Sequence, residues 1–302
     1  MTHATKFKAP ISFALTASLL ALGLTACKAP PQTETAPLKI TAPTSKLAPI
    51  RTALKCLPEN AAIIAAHRGT DEHWKDQAEN SIGGLKALIN HGTIMAEIDV
   101  AGLRDDSLIT FHDGVWDEIS TAKGPIASST KADLEKILLK SRSGGLTADR
   151  PPLFKDMLSV AKGKIYMEVD FKSSADPKAV VKAIRDADMA DQVLLIAYNA
   201  KQAAQLKRLA PEMLRSNPTD ATEVDHAVWL GYDVAKGNNA NLLKSNDNYI
   251  IGRIGDPNRQ PPLASLRKAA HILVTDKAER YDGIIGLNAN NRAGYEACLN
   301  QN

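Results

Sequence analysis

Four short stretches of this 302-residue chain gather side chains suited to proton and cation chemistry. The apolar run Ala61 to Ala66 breaks off into His67-Arg68-Gly69, an imidazole and a guanidinium in succession. In the run Ile94 to Val100, Glu97 and Asp99 are two residues apart, so a strand projects both to one side and sends Ala96 and Ile98 to the other. The alternating segment Ser107 to Phe111 delivers His112 and Asp113, and Ile165 to Phe171 sets Glu168, Asp170 and Lys172 on one face by the same period. Two neighbouring carboxylates repel each other and lose hydration unless a cation compensates them; the plain alternative is pairing with nearby lysines or arginines. A hard divalent cation, Ca2+ or Mg2+, suits an oxygen-only ligand set. Such an ion neutralises phosphoryl oxygens, Arg68 and Lys172 add positive charge, and two imidazoles that titrate near neutrality can take and return a proton. That combination suits a phosphodiester.

These side chains cooperate only if the strands carrying them end at the same place. From Cys56 onward, short apolar runs alternate with amphipathic stretches. Strands are expected at 61–66, 94–100, 107–111, 165–171, 193–197, 213–215, 249–254 and 271–274. Helices are expected from Ser81 to Asn90, stopped by Gly92, and from Lys131 to Lys140 behind a Ser129 or Thr130 cap. Eight strands with intervening helices imply an α/β fold, a (β/α)8 TIM barrel, in which residues at strand C-termini face the mouth. A doubly wound open sheet is the competitor, but it normally carries a Gly-rich phosphate turn after its first strand, where this chain has His-Arg-Gly. His73 and Trp74, in the turn after the first strand, are read as exposed loop residues rather than as lining of the mouth.

Composition bounds the rest. With 44% hydrophobic and 24% charged residues the chain can bury a large core, and a net charge of +3 supports no nucleic-acid partner. Lys6 and Lys8 followed by an apolar run from Ile11 to Ala26 read as an export signal over residues 1–26, too short for a membrane span. Leu24-Thr25-Ala26-Cys27 resembles a bacterial lipoprotein signal, which implies cleavage before Cys27 and its acylation, hence a membrane partner through a lipid anchor facing the periplasm. Lys28 in place of Asp favours the outer membrane. Residues 27–56, rich in Pro, Ala and Thr, read as a tether, with the folded domain over 57–302. Cys56 and Cys298 then remain, as a disulfide or as two buried thiols. No protein partner follows from the sequence.

The set His67-Arg68-Gly69, Glu79-Asn80-Ser81, Glu97-x-Asp99 and His112-Asp113 resembles the glycerophosphodiester phosphodiesterases, clearly over residues 61 to about 140 and again at Val274-Thr275-Asp276. The resemblance implies a (β/α)8 barrel that splits glycerophosphodiesters to glycerol 3-phosphate and an alcohol, with small-molecule substrates. It implies His67 and His112 as general acid and base, Glu97 and Asp99 as metal ligands, and Arg68, Lys172 and Asn80 at the phosphate. The third metal carboxylate of the family falls on Asp170, with Glu168 one step deeper as the other candidate. Ala78 replaces the family's proline, and the stretch Ile250 to Asn258 stands where its tryptophan-bearing seventh strand belongs. The alternatives are a surface lipoprotein that only binds phosphorylated ligands and a variant of lysophospholipase D type.

Overall fold

The structure, a computed structural model, describes residues 47–221, 223–234, 247–255, 262–287 and 291–301. The expected signal, Cys27 and the tether up to residue 46 lie outside them. Among the described residues no helix is long and apolar enough to cross a membrane.

Among the described residues nine strands form one sheet. In chain order they are β1 (Ile63–Ala66), β2 (Met95–Gly102), β3 (Leu108–Thr110), β4 (Tyr166–Phe171) and β5 (Val193–Ile196). The second half adds β6 (Leu214–Asn217), β7 (Ala227–Gly231), β8 (Tyr249–Ile254) and β9 (Ile272–Thr275). Every strand but β3 runs parallel, and β1 pairs with both β2 and β9, which closes an eight-stranded (β/α)8 barrel. Two expectations fail here. The segment 107–111 is not a barrel stave, because β3 lies antiparallel against the overhanging end of β2, with Val100 opposite Thr110 and Gly102 opposite Leu108. The eighth stave is β7, which was not expected.

Strand alternation builds the two layers of the core. Ala96, Ile98, Val100, Met167 and Val169 face outward and pack under helices α2 (Ile82–His91), α3 (Phe154–Ala161), α4 (Pro177–Asp186) and α5 (Ala200–Leu209). The opposite faces of the same strands begin with Ile63, Met95, Tyr166, Leu214 and Ile272, which fill the lower lumen. Helix α1 (Ile50–Lys55) presses Ile50, Ala53 and Leu54 into that apolar plug. Residues 50–55 therefore belong to the folded domain and not to the tether; their apolar side chains at i, i+3 and i+4 form one helical stripe that only the open bottom of the barrel can bury. The Tyr166 hydroxyl donates to the Ala48 carbonyl at 2.7 Å, and Cys56 is joined by a disulfide to Cys298 of the last helix, Arg292–Leu299, with Cα atoms 5.6 Å apart.

Helix α2 starts as expected, with the Ser81 hydroxyl accepting from the Gly84 N–H, and stops at Gly92, whose φ of 93° is open to glycine. The helix expected over 131–140 is a 3-10 turn over Lys131–Lys136, begun by a Thr130–Asp133 capping box. Leu139 instead forms a β-bridge with Ser120. Both lie in an insertion with its own small core around Phe111, Trp116 and Leu134.

Candidate active site

Continuing up the inward faces, the apolar residues give way to acids. β2 presents Met95, then Glu97, then Asp99; β4 presents Tyr166, then Glu168, then Asp170, and register places Glu97 beside Glu168 and Asp99 beside Asp170. The ligand oxygens of Glu97, Asp99 and Asp170 all lie within 4.8 Å of one another. Lys172, two residues further on, turns its ammonium back to within 2.7 Å of Asp99 Oδ1 and of Asp170 Oδ2. Tyr198, just beyond β5, donates its hydroxyl to Asp170 Oδ2 at 2.7 Å.

The overhang of β2 explains how His112 arrives. Because β2 outruns the barrel rim, β3 returns along it, and the Phe111 N–H binds the Asp99 carbonyl at 3.0 Å, which delivers His112 beside the carboxylates. Its Nδ1 lies 2.6 Å from Asp113 Oδ1. His67 opposes it, with Nδ1 2.7 Å from Asp276 Oδ1 and Nε2 4.0 Å from Glu97 Oε2. Nitrogens of Arg253 and Arg142 also stand 3.1 and 3.4 Å from His67 Nδ1. That atom cannot both donate and accept; the shorter contact to an acceptor-only carboxylate assigns it the proton and leaves Nε2 as the free lone pair toward the cavity. Arg142 and Arg253 bind Asp276 as well.

The electrostatics follow from burial and neighbours. Burial holds the His67 imidazole below its ordinary value, the Asp276 hydrogen bond opposes this, and the charges of Arg253 and Arg142 reinforce it. Burial works against ionisation of Asp276, yet bonds from His67 and Arg142 hold its carboxyl well below the usual carboxylate range. Burial and then Asp99 push Glu97 well up, and burial with Asp170 pushes Glu168 up to about 8. Asp99 is equally buried, but Lys172 and Asn80 hold it below the ordinary value.

His67, His112, Glu97, Asp99, Glu168, Asp170 and Lys172 all line one cavity of about 230 Å³, whose other wall carries Ile196, Tyr198, Pro218 and Trp229. Arg68 and Asn80 do not line it. Arg68 binds Glu79 at 2.8 Å, and its backbone N–H donates to Glu97 Oε2 at 2.8 Å. Asn80 donates to Asp99 Oδ2 at 2.7 Å and takes the Asp99 N–H in return at 3.0 Å. Both hold left-handed backbones, φ 58° and 53°, at which non-glycine residues are uncommon. They set the carboxylates rather than meeting a ligand directly. His73 and Trp74 are off the cavity, bound to Asp71 and Glu279.

Four residues were given no site role from the sequence: Tyr198, Arg142, Arg253 and Asp276, the last although Val274-Thr275-Asp276 was part of the resemblance. Asp276 and Tyr198 each follow a barrel strand closely, which is a usable signal; Arg142 comes from the insertion and has none.

Both oxygens of Glu168 and Oδ1 of Asp170 are buried without a hydrogen-bond partner among the described residues. Orphaned carboxyl oxygens in and beside the three clustered acids are what a hard cation would satisfy, so the residues fit a divalent metal.

The architecture and the cation-ready acids define a (β/α)8 barrel with a candidate metal site at its mouth. Residues 67–260 match the profile of the glycerophosphoryl diester phosphodiesterase family, and the chain belongs to that family. A glycerophosphodiester phosphodiesterase of Caldanaerobacter subterraneus is 23% identical over 158 residues, covering 50% of this chain and 64% of that protein. The chain thus spans under two thirds of the length of the curated relatives it matches, 64% and 65%. Among solved structures, a glycerophosphoryl diester phosphodiesterase of Parabacteroides distasonis superposes with a TM-score of 0.67 at 16% identity, covering 82% of this chain and 96% of that one. An Oleispira antarctica phosphodiesterase in complex with the product sn-glycerol-3-phosphate gives 0.61 at 17% identity, covering 76% and 98%.

Proposed function

We propose that the chain is a divalent-cation-dependent phosphodiesterase that splits glycerophosphodiesters to glycerol 3-phosphate and an alcohol. The observation that carries this reading is the meeting of His67 and His112 with Glu97, Asp99 and Asp170 around one cavity. Glu97, Asp99 and Asp170 would hold the cation, which when bound neutralises phosphoryl oxygens. Lys172 lines the cavity and places a positive charge where a phosphate would sit. His67, kept neutral by burial, takes the proton of the attacking hydroxyl at Nε2; that hydroxyl belongs to a neighbouring group of the substrate or to water. His112, held at Nδ1 by Asp113, returns a proton to the leaving alcohol. Asp276 keeps the His67 imidazole in the tautomer that leaves Nε2 free.

A binder of phosphorylated ligands has no use for two carboxylate-held imidazoles on one cavity, which favours turnover. The deciding assay follows glycerol 3-phosphate release from glycerophosphocholine with and without chelator. Release should stop on chelation and return with Ca2+ or Mg2+, and His67→Ala and His112→Ala should each lower turnover by at least about a hundredfold. Undiminished release after prolonged chelation sinks the reading. Export and acylation at Cys27 are part of the proposal, supported by Lys6, Lys8 and the apolar run that ends at Cys27. A mature N-terminal peptide without acyl groups in a Gram-negative host would refute that part.

A further inference from the structure

We propose that Glu168 is a fourth carboxylate ligand of the cation site formed by Glu97, Asp99 and Asp170, and that it makes the site selective for Ca2+ over Mg2+. This rests on the reading of those three as a cation site. Glu168 stands outside the tight trio but lines the same cavity, across the strand pair from Glu97. Its side chain is buried, and neither oxygen has a hydrogen-bond partner among the described residues. The local ammonium does not serve it, since Lys172 binds Asp99 and Asp170. A proton would not resolve the problem either: it would leave one acceptor unpaired and add a buried donor that also needs a partner. A leucine or glutamine of similar size would fill the space without a buried charge, so the carboxylate has a use only if a cation reaches it.

The depth of Glu168 bears on which cation. It lies two residues, roughly 6.5 Å along the strand, below Asp170, and its extra methylene lets it reach upward as Glu97 does beneath Asp99. Four carboxylates from two adjacent strands, at two heights, make an oxygen-rich and irregular cage. Ca2+ accepts about six to eight oxygens in adjustable geometry, whereas Mg2+ demands a near-octahedral shell, keeps several waters and usually takes one or two carboxylates. The cage matches the larger ion.

The test is isothermal titration of the full chain, stripped of metal, with CaCl2 and separately with MgCl2, for the wild type, Glu168→Gln and Glu168→Asp. The wild type should bind Ca2+ at least about tenfold more tightly than Mg2+, and Glu168→Gln should weaken Ca2+ at least about tenfold while changing Mg2+ less than about threefold. Glu168→Asp, which keeps the charge but loses the reach, should also weaken Ca2+. In metal-free buffer Glu168→Gln should melt no lower than the wild type, because a buried carboxyl group without a partner among the described residues is replaced by an amide of the same shape. Equal Ca2+ affinity in wild type and both variants, or a wild-type preference for Mg2+, overturns the role of Glu168 and leaves the trio standing. If neither ion binds the wild type, the trio itself fails.

Discussion

At the closed end of the barrel the inward positions of β2 and β4 are Met95 and Tyr166; two and four residues along the same strands they are Glu97 and Glu168, then Asp99 and Asp170. Below, an apolar plug is sealed by α1, the Tyr166 hydroxyl is bound to a carbonyl, and a disulfide joins the two ends of the domain. Above, buried carboxyl oxygens lack partners among the described residues, and Arg68 and Asn80 hold left-handed backbones. The apolar plug at the lower end supplies stability; the carboxylate oxygens without a partner among the described residues at the upper end stand ready for a ligand. Substitutions at the two ends should therefore move stability and activity in opposite ways.

The sharpest test of that contrast is Glu97→Gln. Turnover should fall by roughly a thousandfold, about 4 kcal/mol of lost transition-state stabilisation, yet the metal-free protein should melt no lower than the wild type, because burial and Asp99 both disfavour the charge being removed. A large drop in melting temperature would erase the distinction between the ends.

The converse test is Cys298→Ser or reduction of the bridge. Stability should drop by about 2 to 4 kcal/mol while the rate at 25 °C stays within about twofold, read by melting curves beside initial rates. A parallel loss of rate would show that the closed end communicates with the mouth.

His226 sharpens the comparison through pH. It is buried at the start of β7 with Arg215 Nη2 2.9 Å from its Nε2, and burial followed by the Arg215 charge lowers its pKa to about 4. The unfolded chain binds a proton near pH 6.5 that the folded chain refuses, so this stability is full above about 6.5 and is lost as pH falls toward about 4, by roughly 3 kcal/mol. Denaturant melts across that window should show a shallower slope for His226→Asn than for the wild type; identical slopes would remove His226 from the account.

The smallest effect expected is at Tyr198→Phe. Loss of one hydrogen bond to Asp170 Oδ2 should cost about 1 kcal/mol, roughly fivefold in turnover, with melting unchanged.

What could be read in advance follows from the range over which each signal acts. Period-two alternation is local, so Glu97, Asp99, Glu168, Asp170 and Lys172 were assigned to one face correctly, and Ser81 and Gly92 marked α2 by their own backbone chemistry. Alternation carries no direction, and β3 therefore passed for a barrel stave although it runs backward. β7 was missed because Trp229 and Leu230, on opposite faces, are both only partly buried and Gly231 ends the run, leaving too few buried positions to show a pattern. Arg142 approaches His67 from 75 residues away, across an insertion, and only tertiary folding brings it there.

The described chain enters at the closed end, where the Ala48 carbonyl is held by Tyr166 and Ile50 donates to the Asp191 carbonyl at 2.7 Å. The active-site cavity opens at the opposite end of the same strands. Any pull exerted through the residues ahead of 47 is taken up by α1 and, six residues later, by the covalent bridge from Cys56 to the last helix, before it reaches a single strand of the barrel. A molecule hauled on from that side would be dragged base first, with its opening trailing toward the surrounding solution and its catalytic strands unstressed.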